Sequence, residues 1–442
     1  MAREHFGSRM GVLLAMAGGA VGLGNMWRFP YLVGKNGGAA FILVYLLFVV
    51  FLCLPILVSE YALGRRTQKN AFGAFKMLSK NKSWSLIGIF AVLAAVCVLS
   101  FYCVVGGWSV KYLVESCKFN MPILDSSYFT GFISSSFAPV IYTLIFLALT
   151  GSVLVLGIQK GIERFSKVMM LLLCLLIILI AIRSVTLPGA MEGMKYLFVP
   201  NLNALNGKAL LEALGQSFFS LSIGCGTVLT YASYVSKKEN IITTSFMVAA
   251  FDTLFALVAG IAIIPAVFAI AYMNGATPEI GAGPGLVFIT LPSVFNAMPM
   301  GNIVAILFFV TLLIAAITSA ISLMETFVTY EIEEWKLSRT KSVLLAFAIC
   351  SVLGIICSLS QGVLSNVRLF GYNIFDFFDK LSANVLLVLC VGWSMKKEDD
   401  IDELSNGHTN GVPVWLLTTI YYLVKFVAPI TIIAVMLGNF IL

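Results

Sequence analysis

Charge is scarce in this chain. Only 11% of its 442 residues are Asp, Glu, Lys or Arg, less than half the share a soluble surface takes, about 25%. Histidine is nearly missing. His5 and His408 are the two present, which removes the usual general base and a common metal ligand from most of the chain. Nine cysteines occur without a CxxC pair, and only Cys117 falls in a predicted external loop, so neither a disulfide framework nor a thiolate metal site is expected. No phosphate-cradling loop of the GxxxxGK[ST] kind is present. Work against a gradient would therefore draw on an ion. An enzyme would need a nucleophile, base or metal constellation, and none is visible.

Apolar residues fill the space that charge leaves. They make up 60% of the chain, the mean hydropathy is +0.99, and runs long enough to cross about 30 Å of hydrocarbon recur throughout. Eleven spans are expected, near 9–33, 39–64, 85–115, 137–157, 165–187, 209–235, 241–273, 301–332, 342–360, 367–395 and 413–440. The first run lacks a small-residue cleavage site and reads as part of the bundle, not as a removable signal peptide. Basic residues mark the cytoplasmic side. Arg3, Arg9, Arg65, Arg66, Lys160, Arg164, Lys237, Lys238, Arg339 and Lys341 all fall there if the N-terminus is inside. An odd number of spans then leaves Leu442 outside. The net charge of +7 is a topology signal that needs no nucleic-acid partner.

Two spans look built to break. Gly18–Pro30, GGAVGLGNMWRFP, puts four glycines, an asparagine and an arginine within a membrane helix, and Ser217–Gly226, SFFSLSIGCG, does something similar in span 6. Glycine weakens helices and intramembrane charge is expensive. Gly-interrupted spans at matching places in two halves point to a transporter site. Five spans separate them, and five is odd, so a second copy of the unit enters from the opposite face as an inverted repeat, with span 11 an accessory. Backbone groups freed at mid-membrane need partners. Half-helix N-termini suit a carboxylate, and half-helix C-termini suit a cation. Close packing of small residues is the alternative for the glycines, and an ion channel is the alternative for the carbonyls.

GGAVGLGNMWRFP, NGGAAF from Asn36, GGW from Gly106, TYASY from Thr230 and AITSAIS from Ala316 resemble the neurotransmitter:sodium symporters, in particular their bacterial amino-acid branch. The likeness runs in the family's order from Arg3 to span 11. It implies an all-α polytopic membrane protein with the LeuT-type 5+5 inverted repeat, unwound in spans 1 and 6, forming one domain over 1–442. The repeats would cover about 9–187 and 209–395, and the accessory span about 413–440. It also implies sodium-coupled import of a neutral, hydrophobic or aromatic amino acid across the plasma membrane by alternating access. A different small zwitterionic solute is the alternative cargo.

The same resemblance assigns residues. A first sodium would meet the Ala20 carbonyl, Asn25, Ser220, Asp252 and the substrate carboxylate. A second would meet the carbonyls of Gly18, Val21 and Ala315 with the hydroxyls of Thr318 and Ser319. The amino acid would lie on the backbone of Gly19, Ala20, Gly22, Leu23 and Gly24, with Tyr102 and Ser220 at its polar end. Val98, Phe219, Ser222, Cys225, Ser319 and Leu323 would line the side-chain pocket. Gly22 stands where amine carriers of this family place an aspartate, so a substrate bearing its own carboxylate is expected. Arg28 and Asp379 would close the outer gate, and Arg3 and Glu333 the inner one, near Phe6 and Tyr234. Asp252 and Ala256 stand where chloride-dependent members carry asparagine and serine, so chloride is not expected. Two sodium ions serve as coupling ions without other cofactor. The expected partners are the amino acid, sodium and lipid, with a monomer sufficient and a dimer possible. Gly19, Cys225 and Phe6 depart from the family's commoner residues and bear on the substrate and the inner gate, not on the sodium ligands.

Overall fold

The computed structural model describes residues 4–78, 84–119, 125–278, 283–382, 393, 397–405, 413–431 and 433. It is a helical bundle. Among the described residues, eight helices are long and apolar enough to cross a membrane, and one bent pair makes nine. The bent pair is span 1, in which α1 (Arg9–Ala20) and α2 (Gly24–Lys35) meet at 53°. The sixth expected span is two pieces, α10 (Gly207–Ser220) and α11 (Thr227–Ala232), each too short to count as a crossing alone. Between them in chain order lie α3 (Ala39–Thr67), α4 (Ala71–Leu78), α5 (Ser85–Cys117), α6 (Ser126–Ser134), α7 (Ala138–Val155), α8 (Ile158–Val185) and α9 (Ala190–Phe198). After the second break come α12 (Ile241–Met273), α13 (Leu286–Ala297), α14 (Gly301–Glu334) and α15 (Arg339–Leu359). The chain continues with α16 (Ile374–Ser382), α17 (Lys397–Ser405) and α18 (Val414–Thr431).

Local chemistry sets these boundaries. Ser8, Asn206 and Asn240 cap α1, α10 and α12, each side-chain oxygen accepting from a backbone N–H three residues on. The break after Ser220 runs through Ser222, Gly224 and Gly226, all with positive φ, a conformation that favours glycine and strains the serine. The tenth span begins at Ile374, not near 367. A hairpin pairing Arg368–Leu369 with Tyr372–Asn373 turns on Phe370 and Gly371, both of positive φ, and no helix can run through it. Of the remainder of that expected span, 383–392 and 394–395 lie outside the described residues. Three short helices on the side away from Ser8, α6, α9 and α13, occupy stretches expected to be loops.

Helix α14 is the hub. It packs against α1, α5, α7, α8, α11 and α15, and most of its apolar stretch is buried inside the bundle. On the side that holds Ser8, here the near side, two features tie distant segments together. The Glu4 carboxylate accepts from Ile158 N at 2.7 Å at the start of α8, and Glu163 in return accepts from Gly7 N and Ser8 Oγ, both at 2.7 Å. Each carboxylate thus caps the other's helix. Acidic α17 docks on the end of α3, where Arg65 and Arg66 bond Glu403 and Asp399 at 2.7 Å each.

Candidate functional site

The site forms where the two broken spans cross. Helix α1 ends at Ala20, Val21 takes an extended conformation, and α2 starts at Gly24 in a wide π turn. The last carbonyls of α1 and the first N–H groups of α2 lack the partners a continuous helix would supply. Opposite them, α10 ends at Ser220 before the turn containing Ser222 and Gly224.

Asn25, Ser220 and Asp252 come together as expected. Asn25 Nδ2 donates to Asp252 Oδ1 at 2.8 Å and to Ser220 Oγ at 3.1 Å, while Ser220 Oγ donates to Asp252 Oδ2 at 2.6 Å. Asn25 Oδ1 accepts from Gly22 N at 3.0 Å, which fixes the amide against the break. All three side chains are buried. A second oxygen cluster lies on the other side of the same break. Ser319 Oγ is 2.9 Å from the Val21 carbonyl and 3.4 Å from that of Gly18, and Thr318 Oγ1 is 3.0 Å from the Ala315 carbonyl. Carboxylate, amide, hydroxyl and carbonyl oxygens are hard donors suited to an alkali cation. The donor chemistry of both clusters fits one.

Between the clusters sits a place for a zwitterion. Tyr102 Oη accepts from Leu23 N at 3.1 Å. A Cβ built on Gly22 would overlap Ser319 Oγ and lie 2.7 Å from Tyr102 Oη. On Gly24 it would lie 2.8 Å from the Phe219 ring. A side chain at either position would have to displace Ser319, Tyr102 or Phe219. The backbone there is left bare, with Gly22 N and Leu23 N held by Asn25 Oδ1 and Tyr102 Oη. Val98, Cys225 and Leu323 are buried. Gly19, Ala20 and Ser222 line a water-sized cavity beside the break with Met16, Tyr61 and Tyr231. Ser222 Oγ also donates to the Gly19 carbonyl at 3.2 Å, so it joins the two breaks.

Arg28 stacks over Phe219, its guanidinium carbon 4.6 Å from the ring centroid. Its Nη1 is buried without a hydrogen-bond partner. Phe219 is held between Gly24 and Arg28, and this stack closes the break on the far side. On the near side, Glu333 accepts from Asn70 N at 2.9 Å and Nδ2 at 2.8 Å, and Arg3 lies outside the described residues. Tyr234 also meets the charged pair Glu325 and Arg339. Tyr234 Oη donates to Glu325 Oε1 at 2.7 Å, and Arg339 Nη2 reaches Glu325 Oε2 at 2.7 Å. Glu325 lies eight residues before Glu333, about 12 Å deeper along α14, and so within reach of Tyr234. Phe6 packs edge-on to Tyr234, and to Tyr231 as well.

Several site residues escaped the sequence reading. Gln216 Nε2 donates to the Gly24 carbonyl at 3.2 Å, and Glu60 Oε1 accepts from Gly224 N at 2.8 Å, so each holds an unwound segment. Tyr45 Oη donates to Ser220 Oγ at 3.4 Å. Glu60 had a signal, being a lone acid within the apolar run 39–64. Gln216 and Tyr45 had none beyond their polarity.

Comparison with known proteins agrees with this geometry. The family described as "Sodium:neurotransmitter symporter family" matches residues 3–131 and 131–442. An uncharacterized sodium-dependent transporter of Bacillus subtilis (strain 168), YhdH, is 40% identical over 450 residues, covering 98% of this chain and 97% of its own. A second uncharacterized sodium-dependent transporter, from Haemophilus influenzae, is 34% identical over 459 residues, 99% of this chain and 98% of its own. Among solved structures, MhsT in complex with L-phenylalanine superposes with a TM-score of 0.88 at 41% identity, covering 99% of both chains.

Proposed function

The chain belongs to the sodium:neurotransmitter symporter family, and from that premise we propose that it imports a neutral, hydrophobic or aromatic amino acid with two sodium ions by alternating access. It is a multi-pass, all-α membrane protein and a sodium-dependent symporter, not an enzyme. The observation that carries the finer reading is the pair of oxygen clusters flanking a tightly packed backbone at Gly22. With glycine at 22, this chain has no aspartate there to meet a substrate amine. A substrate that brings its carboxylate to the first cluster would link the two fluxes. The neighbour's bound L-phenylalanine supports a pocket for a large apolar side chain, and none of Val98, Phe219, Ser222, Cys225 or Leu323 could neutralise a charged one.

In this reading Ala20, Asn25, Ser220 and Asp252 hold the first sodium, and Gly18, Val21, Ala315, Thr318 and Ser319 the second. Asp252 supplies fixed negative charge in the first shell, so no chloride is needed. The N-terminus is cytoplasmic and the C-terminus extracytoplasmic, in the plasma membrane, and the halves near 9–187 and 209–395 are the inverted repeats, with 413–440 accessory. A monomer is sufficient for transport. Counterflow of labelled phenylalanine or leucine in proteoliposomes, with and without sodium, tests the reading. Saturable exchange that needs sodium is expected, and Asn25→Ala and Thr318→Ala should each abolish it while the protein stays folded. Sodium conductance without exchange would instead identify a channel, and wild-type uptake in either mutant would remove that sodium site.

A further inference from the structure

Along α10, three polar side chains fall at Glu212, Gln216 and Ser220, four residues apart and so on one face. All three reach α2 or its first turn. Ser220 Oγ accepts from Asn25 Nδ2 at 3.1 Å, Gln216 Nε2 donates to the Gly24 carbonyl at 3.2 Å, and Glu212 takes the far end. There its Oε1 accepts from Lys35 Nζ at 2.6 Å and its Oε2 from Asn36 Nδ2 at 2.7 Å. Asn36 is buried, and the same Nδ2 also donates to the Leu32 carbonyl at 3.0 Å, closing the end of α2. One carboxylate therefore binds the last turn of α2 with both oxygens. The half-helix from span 1 and the half-helix from span 6 are thus bonded at both ends of α2.

From this stripe we infer that Glu212 is a positioning residue for the first sodium cluster: it fastens α10 to α2 so that Asn25 and Ser220 approach Asp252 as one preassembled unit. The inference rests on the sodium assignment above and concerns a side chain that touches neither ion nor substrate. Asn25 starts α2 and Ser220 ends α10, and each half-helix is cut from its other half by an unwound segment. At short range the Asn25–Ser220 and Gln216–Gly24 bonds hold their separation. The strap at Glu212 does so from about 12 Å away, eight residues up the helix. Its Lys35 arm is half-exposed, so much of the ion pair is screened. The buried Asn36 arm keeps its direction.

Sodium titration of amino-acid binding, read by thermal shift or labelled phenylalanine at fixed concentration, tests this. Glu212→Ala is expected to raise the half-saturating sodium concentration about tenfold, and Glu212→Gln, which keeps one bond to Asn36, severalfold less. The exchanged pair Lys35→Glu with Glu212→Lys restores the ion pair but not the bond from Asn36 Nδ2, since an ammonium cannot accept, and should stay close to Glu212→Ala. If Glu212→Ala is poorly folded, Glu212→Gln and Lys35→Met carry the same reading. Half-saturation unchanged in these variants, even with a lowered sodium-free melting temperature, would reduce Glu212 to a structural contact and overturn the inference. Asn25→Ala serves as the control. If it too leaves sodium dependence intact, the sodium site itself has failed, and if it abolishes binding while the Glu212 variants do not, only the strap has.

Discussion

At Gly22 a single hydrogen in place of a methyl determines what the site can hold. Ser319 and Tyr102 already occupy the space a Cβ would need, and both are buried side chains on long helices that cannot withdraw cheaply. Gly22→Ala should therefore abolish detectable amino-acid binding while leaving the melting temperature without ligand within a few degrees, since the loss falls on a segment that is already unwound. A binding isotherm and a thermal melt on the same sample check both halves. Asp252 carries the second residue-scale prediction. A carboxylate must shed its proton to ligate sodium, so proton and ion compete for it. The sodium concentration needed for half-maximal uptake should rise as pH falls, and replacing chloride with gluconate should change nothing. Asp252→Asn should remove the pH dependence and most of the sodium affinity. Uptake that collapses without chloride would show that another group binds the anion.

Two kinds of element build this bundle, uninterrupted helices that pack and half-helices that bind, and they differ in how well the sequence announces them. The long helices α5, α12 and α14 were legible to within a few residues because apolar length alone defines a crossing. Both breaks were legible too, from Gly18–Gly24 and from SIGCG. What remained hidden was pairing across the bundle. Glu325 and Glu333 sit on one helix with similar local sequence, and only packing shows that the deeper one meets Arg339 and Tyr234. Arg28 was legible as a charge needing a partner, while the Phe219 face it stacks on was not legible as such. The hairpin at 368–373 was missed because its strands are two residues each, too short to register as a pattern. The Glu325–Arg339 pair yields its own prediction. Glu325 is fully buried, so Arg339→Ala leaves an uncompensated charge and should cost about 3–5 kcal/mol. The double variant Arg339→Leu with Glu325→Leu should cost much less, measured as the shift in thermal unfolding.

For the molecule as a whole, the near face is where distant segments are joined. Helix α17 closes it by docking on Arg65 and Arg66, and in doing so buries Asp400. Burial pushes that carboxyl up to about 7; Arg66 draws it down and Glu403 pushes it further up. A folded pKa above the unfolded value of about 3.9 means the folded state holds its proton longer. The stabilising contribution is thus complete below about pH 4 and lost as pH rises through 7. The protein should melt at a higher temperature at pH 5 than at pH 8, by an amount that Asp400→Asn largely removes, as differential scanning fluorimetry across that range would show. The reciprocal caps at Glu4 and Glu163 bear on biogenesis. Glu4 leaves the ribosome 154 residues ahead of Ile158, the group it caps, and at about 5–20 residues per second that is about 8–30 s of waiting. The opening segment of the nascent chain can therefore take its final place only after the fifth crossing has been made.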